Sequence, residues 1–111
     1  MSLTCETGKV VWHTYDFHLD GKPFGFAQWR KQGNEAEFHN FMYSSSLSAL
    51  KLSREIFNDI KHDMAAAGCT CVVVTDLVEN VDSARIKYWR FMGFEIFGEH
   101  EGYKFAVQGV N

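Results

Sequence analysis

Proline occurs once in the 111 residues, which excludes a proline-rich linker and a collagen-like segment. No apolar run approaches the roughly 20 residues that a membrane helix needs. Basic residues are not in excess. Eleven Lys and Arg stand against 14 Asp and Glu, for a net charge of −3 and a pI near 5.9. Such a chain has no phosphate-seeking field, so broad nucleic-acid binding by a basic face is excluded. Cysteine is also scarce and odd in number, at three. Cys69 and Cys71 sit two apart in an apolar stretch, whereas a disulfide framework uses an even set at loop positions. Reduced thiols and a cytoplasmic setting are the expectation. The N-terminus has no basic region followed by an apolar core, so it does not read as a signal peptide. Residues 1–9 are expected to be disordered or tag-derived, ahead of a single domain over 10–111.

What is present is a core. Apolar residues make up 46% and aromatics 15%, with 23% charged. That is enough to pack one domain and argues against intrinsic disorder. Val10 to Leu19 alternates, and Asp20-Gly21 is a strong hairpin signal. Phe24 to Arg30 and Glu35 to Tyr43 read as two further strands. In the last of these Ala36, Phe38, Asn40 and Met42 share one face, and Glu35, Glu37, His39, Phe41 and Tyr43 the other. Short turns join the three into a meander.

The period then becomes helical. Leu52, Ile56, Ile60 and Met64 recur every four residues between about Ser48 and Ala67, and Gly68 closes the helix. Val72-Val73-Val74 suits a strand buried on both faces, parallel to the third strand. A second helix is expected from about Ser83 to Met92, stopped by Gly93. Phe94 to Phe97 and Tyr103 to Val107 make a last hairpin around a Gly98–Gly102 loop. The order is β-β-β-α-β-α-β-β, an α+β domain with a mixed sheet.

Asp82-Ser83-Ala84-Arg85-Ile86-Lys87-Tyr88-Trp89-Arg90-Phe91-Met92-Gly93-Phe94-Glu95 resembles the late helix of GNAT-family N-acetyltransferases, written N-x-x-A-x-x-x-Y-x-x-x-G-F-[ED]. Gly93 and Phe94 fit that pattern, while Trp89 stands at its tyrosine. With the element order, the resemblance covers about residues 10 to 108. It implies a GNAT-like mixed sheet that lacks the usual N-terminal strand and two helices. It also implies acetyl-CoA as cofactor and an unidentified amine, small molecule or protein, as acceptor.

The family holds the cofactor pyrophosphate at the start of its central helix, where free N–H groups and the helix dipole favour an anion. Its motif there is [QR]-x-x-G-x-[GA]. The resemblance sets this on Ser48-Ala49-Leu50-Lys51-Leu52-Ser53, so Lys51 replaces a glycine and Ser53 the final small residue. Tyr43, Ser44, Ser48, Lys51 and Ser53 are the implied cofactor-binding residues; Lys51 also reads as an ordinary solvated helix charge. For proton transfer the candidates are Glu37 and His39 on the third strand, with Tyr88 beside the family's acid position. Glu37 and His39 also read as cross-strand pairing residues, and Trp89 as core. No histidine or cysteine spacing matches a zinc motif.

Two functions follow. One is acetyl transfer from acetyl-CoA to an amine. The other is a non-catalytic module of the same fold that has lost cofactor binding. Without the two helices a sheet face stays uncovered, so a homodimer is expected to cover it.

Overall fold

The computed structural model describes the backbone of Ser2–Cys5 and Val10–Asn111, and side chains from Val11 onward. Strands β2 (Val10–Leu19), β3 (Lys22–Gln32) and β4 (Glu35–Met42) form the expected meander. The β2–β3 turn is Asp20-Gly21, with φ of 53° and 78°. Both central residues are left-handed, as a tight two-residue hairpin requires. Helix α1 (Leu47–Ala66) follows, then β5 (Cys71–Leu77), a single 3₁₀ turn (Val78–Asn80), α2 (Ser83–Phe91), β6 (Glu95–His100) and β7 (Tyr103–Gly109).

The sheet order is β1-β2-β3-β4-β5-β7-β6. Only β4 and β5 are parallel. The α+β class, the element order from β2 onward and the parallel pairing agree with the sequence reading.

Four details differ from it. A strand, β1 (Ser2–Cys5), pairs antiparallel with β2. It lies where the sequence suggested no structure and no N-terminal strand. Residues 6–9, between the two, lie outside the described residues. Next, β6 runs on to His100, because the ladder absorbs an irregularity between Ile96 and Gly98. The loop thereby shrinks to Glu101-Gly102, both with positive φ. Finally, β5 is buried on one face only: Val72 and Val74 are buried and Val73 is not.

That last difference reflects how the layers are stacked. Both helices pack on the same side of the sheet. Phe57 of α1 sits between Phe38 of β4 and Phe94, with ring centroids 4.7 and 5.5 Å away. Ser53 of α1 meets Tyr88 of α2. On this covered face Phe17, Ala27, Trp29, Ala36, Phe38, Val72, Val74 and Ala106 are all buried. Trp29 places its indole N–H on the Tyr15 hydroxyl at 3.0 Å, and that hydroxyl donates to Asp63 of α1 at 3.0 Å. A buried indole donor is thus satisfied while the sheet is tied to the helix.

The opposite face carries Thr14, Phe26, Gln28, Arg30, Glu37, His39, Val73, Thr75, Phe105 and Val107, placed there by the strand register. None of them is buried. No helix among the described residues covers this face.

Caps set the helix ends. Ser46 accepts from the Ala49 N–H at 3.2 Å, and Asp82 from the Arg85 N–H at 2.8 Å. Lys31 reaches the Ala67 carbonyl at 2.7 Å, where a cation meets the negative end of α1. Phe57→Ala should cost about 3–5 kcal/mol, since it empties the contact between sheet, α1 and Phe94. Urea unfolding followed by circular dichroism measures this.

Candidate functional site

The parallel ladder between β4 and β5 is short. It pairs Glu35 with Cys71, Ala36 with Val72 and Glu37 with Val73, then ends. Yet β4 continues to Met42 and β5 to Leu77. Beyond Glu37 the two facing strand edges no longer bond to each other. Such an edge offers peptide N–H and C=O groups to an extended ligand. Helix α1 begins just past the end of β4. Its first-turn donors are the N–H groups of Leu47, Ser48 and Ala49. The Ser46 cap takes only that of Ala49. Leu47 and Ser48 therefore keep theirs for an external acceptor.

The residues expected to bind the cofactor fall at different places around this turn. Tyr43 to Ser48 leads into the first turn, and serines at 44, 45, 46 and 48 keep it small. Lys51 lies in the second helical turn and is exposed. Ser53 is further along and fully buried. Its hydroxyl donates to the Leu50 carbonyl at 2.7 Å and lies 3.0 Å from the Tyr88 hydroxyl. Ser53 therefore faces α2 and the interior. The helix starts earlier than its apolar stripe indicates, because the Ser46 cap precedes the first stripe residue.

The proton-transfer candidates fall into two groups. Glu37 and His39 are on the open face, where Glu37 Oε1 accepts from Arg30 Nε at 2.9 Å and Oε2 lies 2.6 Å from His39 Nε2. Burial alone would push the Glu37 carboxyl up. The hydrogen bonds from His39 and Arg30, with the Arg30 charge, outweigh it and hold the carboxyl below its usual range. A carboxylate only accepts, so His39 presents Nε2–H to it, and in the neutral ring Nδ1 carries the lone pair. His39 also lies against Trp12, and Arg30 stacks over the same indole.

Tyr88 is on the covered face. Asn40 Nδ2 donates to its hydroxyl at 2.8 Å. The single Ser53 proton goes to Leu50, so the Tyr88 O–H donates to Ser53. Burial raises the Tyr88 pKa, and the bonds to Ser53 and Asn40 offset this only in part. The structure therefore does not join Tyr88 to Glu37 and His39 directly. They flank β4 from its two sides, just where its ladder with β5 has ended. Trp89, beside Tyr88, is buried.

Sequence reasoning missed Asn40 and Arg30 as partners of the candidates. Arg30 was findable, since a two-residue turn at Gly33-Asn34 sets it opposite Glu37. Asn40 was not, because its contact with Tyr88 spans 48 positions. A cavity of about 380 Å³ also lies beside the start of α1, lined by Lys22, Phe24, Ser44 and Ala49 among others. None of its lining residues comes from β5, so it is distinct from the β4–β5 opening.

No family model matches the sequence, and no curated protein sequence matches it. Solved structures do. The N-acetyltransferase PaiA of Thermoplasma acidophilum, in complex with coenzyme A, superposes with a TM-score of 0.72 at 13% identity. It covers 88% of this chain and 60% of its own. The Campylobacter jejuni N-acetyltransferase PseH with acetyl coenzyme A gives 0.69 at 12% identity, over 88% and 67%. An aminoglycoside acetyltransferase, AAC(6')-Ib, with coenzyme A gives 0.66 at 16%, over 88% and 66%. The chain has the GNAT fold. It spans about two thirds of the length of these GNAT structures or slightly less.

The Glu37 arrangement makes a pH prediction. Its folded-state pKa is depressed, so its stabilisation is present above the unfolded carboxyl value near pH 4 and is lost as pH falls through the folded value. Glu37→Gln should cost about 1 kcal/mol or less at neutral pH, given partial solvent screening. The gap to the native protein should close on acidification below about pH 4. Urea melts across pH 3 to 7 test this; a gap that does not narrow in acid refutes the assignment.

Proposed function

We propose that the chain is an acyl-CoA-dependent N-acetyltransferase working at the β4–β5 opening. The observation that carries this reading is the early end of the β4–β5 ladder beside the two uncommitted N–H groups of α1. GNAT-fold neighbours in complex with coenzyme A or acetyl coenzyme A support it. Acetyl-CoA would supply an activated acetyl thioester. The Leu47 and Ser48 N–H groups would hold its pyrophosphate, with Tyr43 and Ser44 leading into that turn. The unpaired edge of β4 past Glu37 would align its pantetheine arm.

On this reading His39 is the base and Glu37 orients it. Both Glu37 oxygens are already engaged, and its carboxyl is held below its usual range. The acceptor amine loses a proton to His39 Nδ1 as its nitrogen bonds to the acetyl carbon. The carbon–sulfur bond breaks, and the Tyr88 O–H, released from Ser53, protonates the departing sulfur. The acceptor is an amine of unassigned identity.

One observation favours the non-catalytic alternative. Tyr88 is held on both sides by Asn40 and Ser53, which fits a structural hydroxyl as well as an acid.

Calorimetric titration with acetyl-CoA separates the two readings. Binding should release heat and raise the thermal transition, since a ligand of the native state stabilises it. Neither effect at millimolar ligand would leave the non-catalytic module. If acetyl-CoA binds, Lys51→Ala should change affinity less than threefold, because Lys51 is outside the first turn. With an amine panel and mass-spectrometric detection, His39→Gln should lower turnover by about 100-fold or more. Its affinity for acetyl-CoA should not change.

A further inference from the structure

Among the described residues Ser53 is the only buried hydroxyl. Its oxygen has three neighbours: the Leu50 carbonyl at 2.7 Å, the Tyr88 hydroxyl at 3.0 Å and the Met92 sulfur at 3.9 Å. One proton serves all three. The Tyr88 oxygen has a second neighbour, Asn40 Nδ2, at 2.8 Å. Asn40 belongs to the stretch of β4 past Glu37 that β5 no longer pairs, so this oxygen lies beside the β4–β5 opening. On the two helices, Arg54 lies over the Phe91 ring, 4.2 Å from its centroid, and Arg85 pairs with Asp76 of β5. The two groups bonded to the Tyr88 oxygen are both neutral.

We infer that Ser53 and Asn40 are positioning residues that hold the ionised form of Tyr88, the Ser53 proton turning from Leu50 to the tyrosine oxygen when that oxygen gives up its own. The use of this pair in catalysis rests on the acetyl-transfer reading, while the hydrogen-bond change is measurable without turnover. At rest the Tyr88 O–H donates to Ser53, and Ser53 donates to Leu50. When the Tyr88 O–H bond breaks and its proton goes to the departing sulfur, the electron pair stays on the tyrosine oxygen. No proton then lies between that oxygen and Ser53. The Ser53 hydrogen swings about its Cβ–Oγ bond to fill the place. No heavy atom has to move, since Oγ already stands within hydrogen-bond distance of both acceptors. The phenolate then accepts two hydrogen bonds, from Ser53 and from Asn40. A proton from water resets Tyr88, and Ser53 turns back to Leu50.

Three features favour the turn. The Leu50 carbonyl lies inside α1 (Leu47–Ala66), where the Arg54 N–H already bonds it along the helix, so it is not orphaned when Ser53 leaves. A hydrogen bond to a charged acceptor is stronger than one to a neutral carbonyl. Ser53 is fully buried, so water does not compete for its proton. Burial penalises the Tyr88 phenolate, and Ser53 and Asn40 act against that penalty.

Fluorine NMR of the full chain labelled with 3-fluorotyrosine, which ionises at lower pH than tyrosine, tests the inference. Tyr88→Phe assigns the resonance among the four tyrosines. Ser53→Ala and Asn40→Leu should each raise the pH midpoint of Tyr88 ionisation by about one pH unit. The Tyr15 midpoint should stay where it is. Ser53→Cys, close in volume and a poor donor, should act as Ser53→Ala does and keeps the test available if the alanine variant does not fold. A role in packing alone predicts the opposite sign, because a loosened site admits water and lowers the midpoint. A Tyr88 midpoint that is unmoved or lowered in a folded Ser53 variant overturns the inference, whether or not the chain transfers acetyl groups. A raised midpoint in a chain that transfers none upholds the Ser53–Asn40 pair and refutes the acetyl-transfer reading instead. Where transfer is seen, Ser53→Ala should lower kcat by about tenfold, the same shift expressed as a rate, with KM for acetyl-CoA unchanged.

Discussion

The placement of both helices on one side of the sheet governs the rest of this structure. The Phe38–Phe57–Phe94 contact joins sheet, α1 and the end of α2 in a single column. The side chains it closes to solvent, Phe17, Ala27, Trp29, Ala36, Phe38, Val72, Val74 and Ala106, all point to that side. Hydrophobic stabilisation is thus drawn from one interface. The polar links of that interface are few and all satisfied. Trp29, Tyr15 and Asp63 form one, Asn40, Tyr88 and Ser53 a second, and Lys61, Gln108 and the Met92 carbonyl a third.

Strand β4 is where fold and candidate chemistry meet. Its inward residues anchor α1 and α2, and its outward residues hold Arg30, Glu37 and His39 in one cluster. Its C-terminal half is freed from β5 and leads straight into the Ser46 cap. A strand that pairs only part-way leaves backbone groups available at a defined place. The same strand supplies a histidine on one side and, through Asn40, a tyrosine on the other.

Much of the fold was legible in the sequence. The Asp20-Gly21 turn, the alternation of Glu35 to Tyr43 and the four-residue stripe from Leu52 to Met64 are local signals with one physical reading each. The Gly93 stop and the apolar runs Phe94–Phe97 and Tyr103–Val107 around a glycine-bounded loop set the order of the last elements. What escaped was non-local. Strand β1 is four residues long and is defined by its pairing with β2. The partial exposure of Val73 reflects that no helix among the described residues lies over it, which a valine run cannot reveal. The start of α1 was shifted because the stripe begins after the cap. The site was legible as residue types and less so as groupings: Glu37 and His39 share a face by parity, whereas the role of Ser53 depends on where α2 lands.

The split between a closed and an open side has a consequence for how this sequence can drift. Substitutions on the helix-covered side must conserve volume and are paid for in stability. Those on the other side change a solvent-facing surface while the column beneath keeps its packing. The constraint on sequence thus differs between the two sides of the same seven strands.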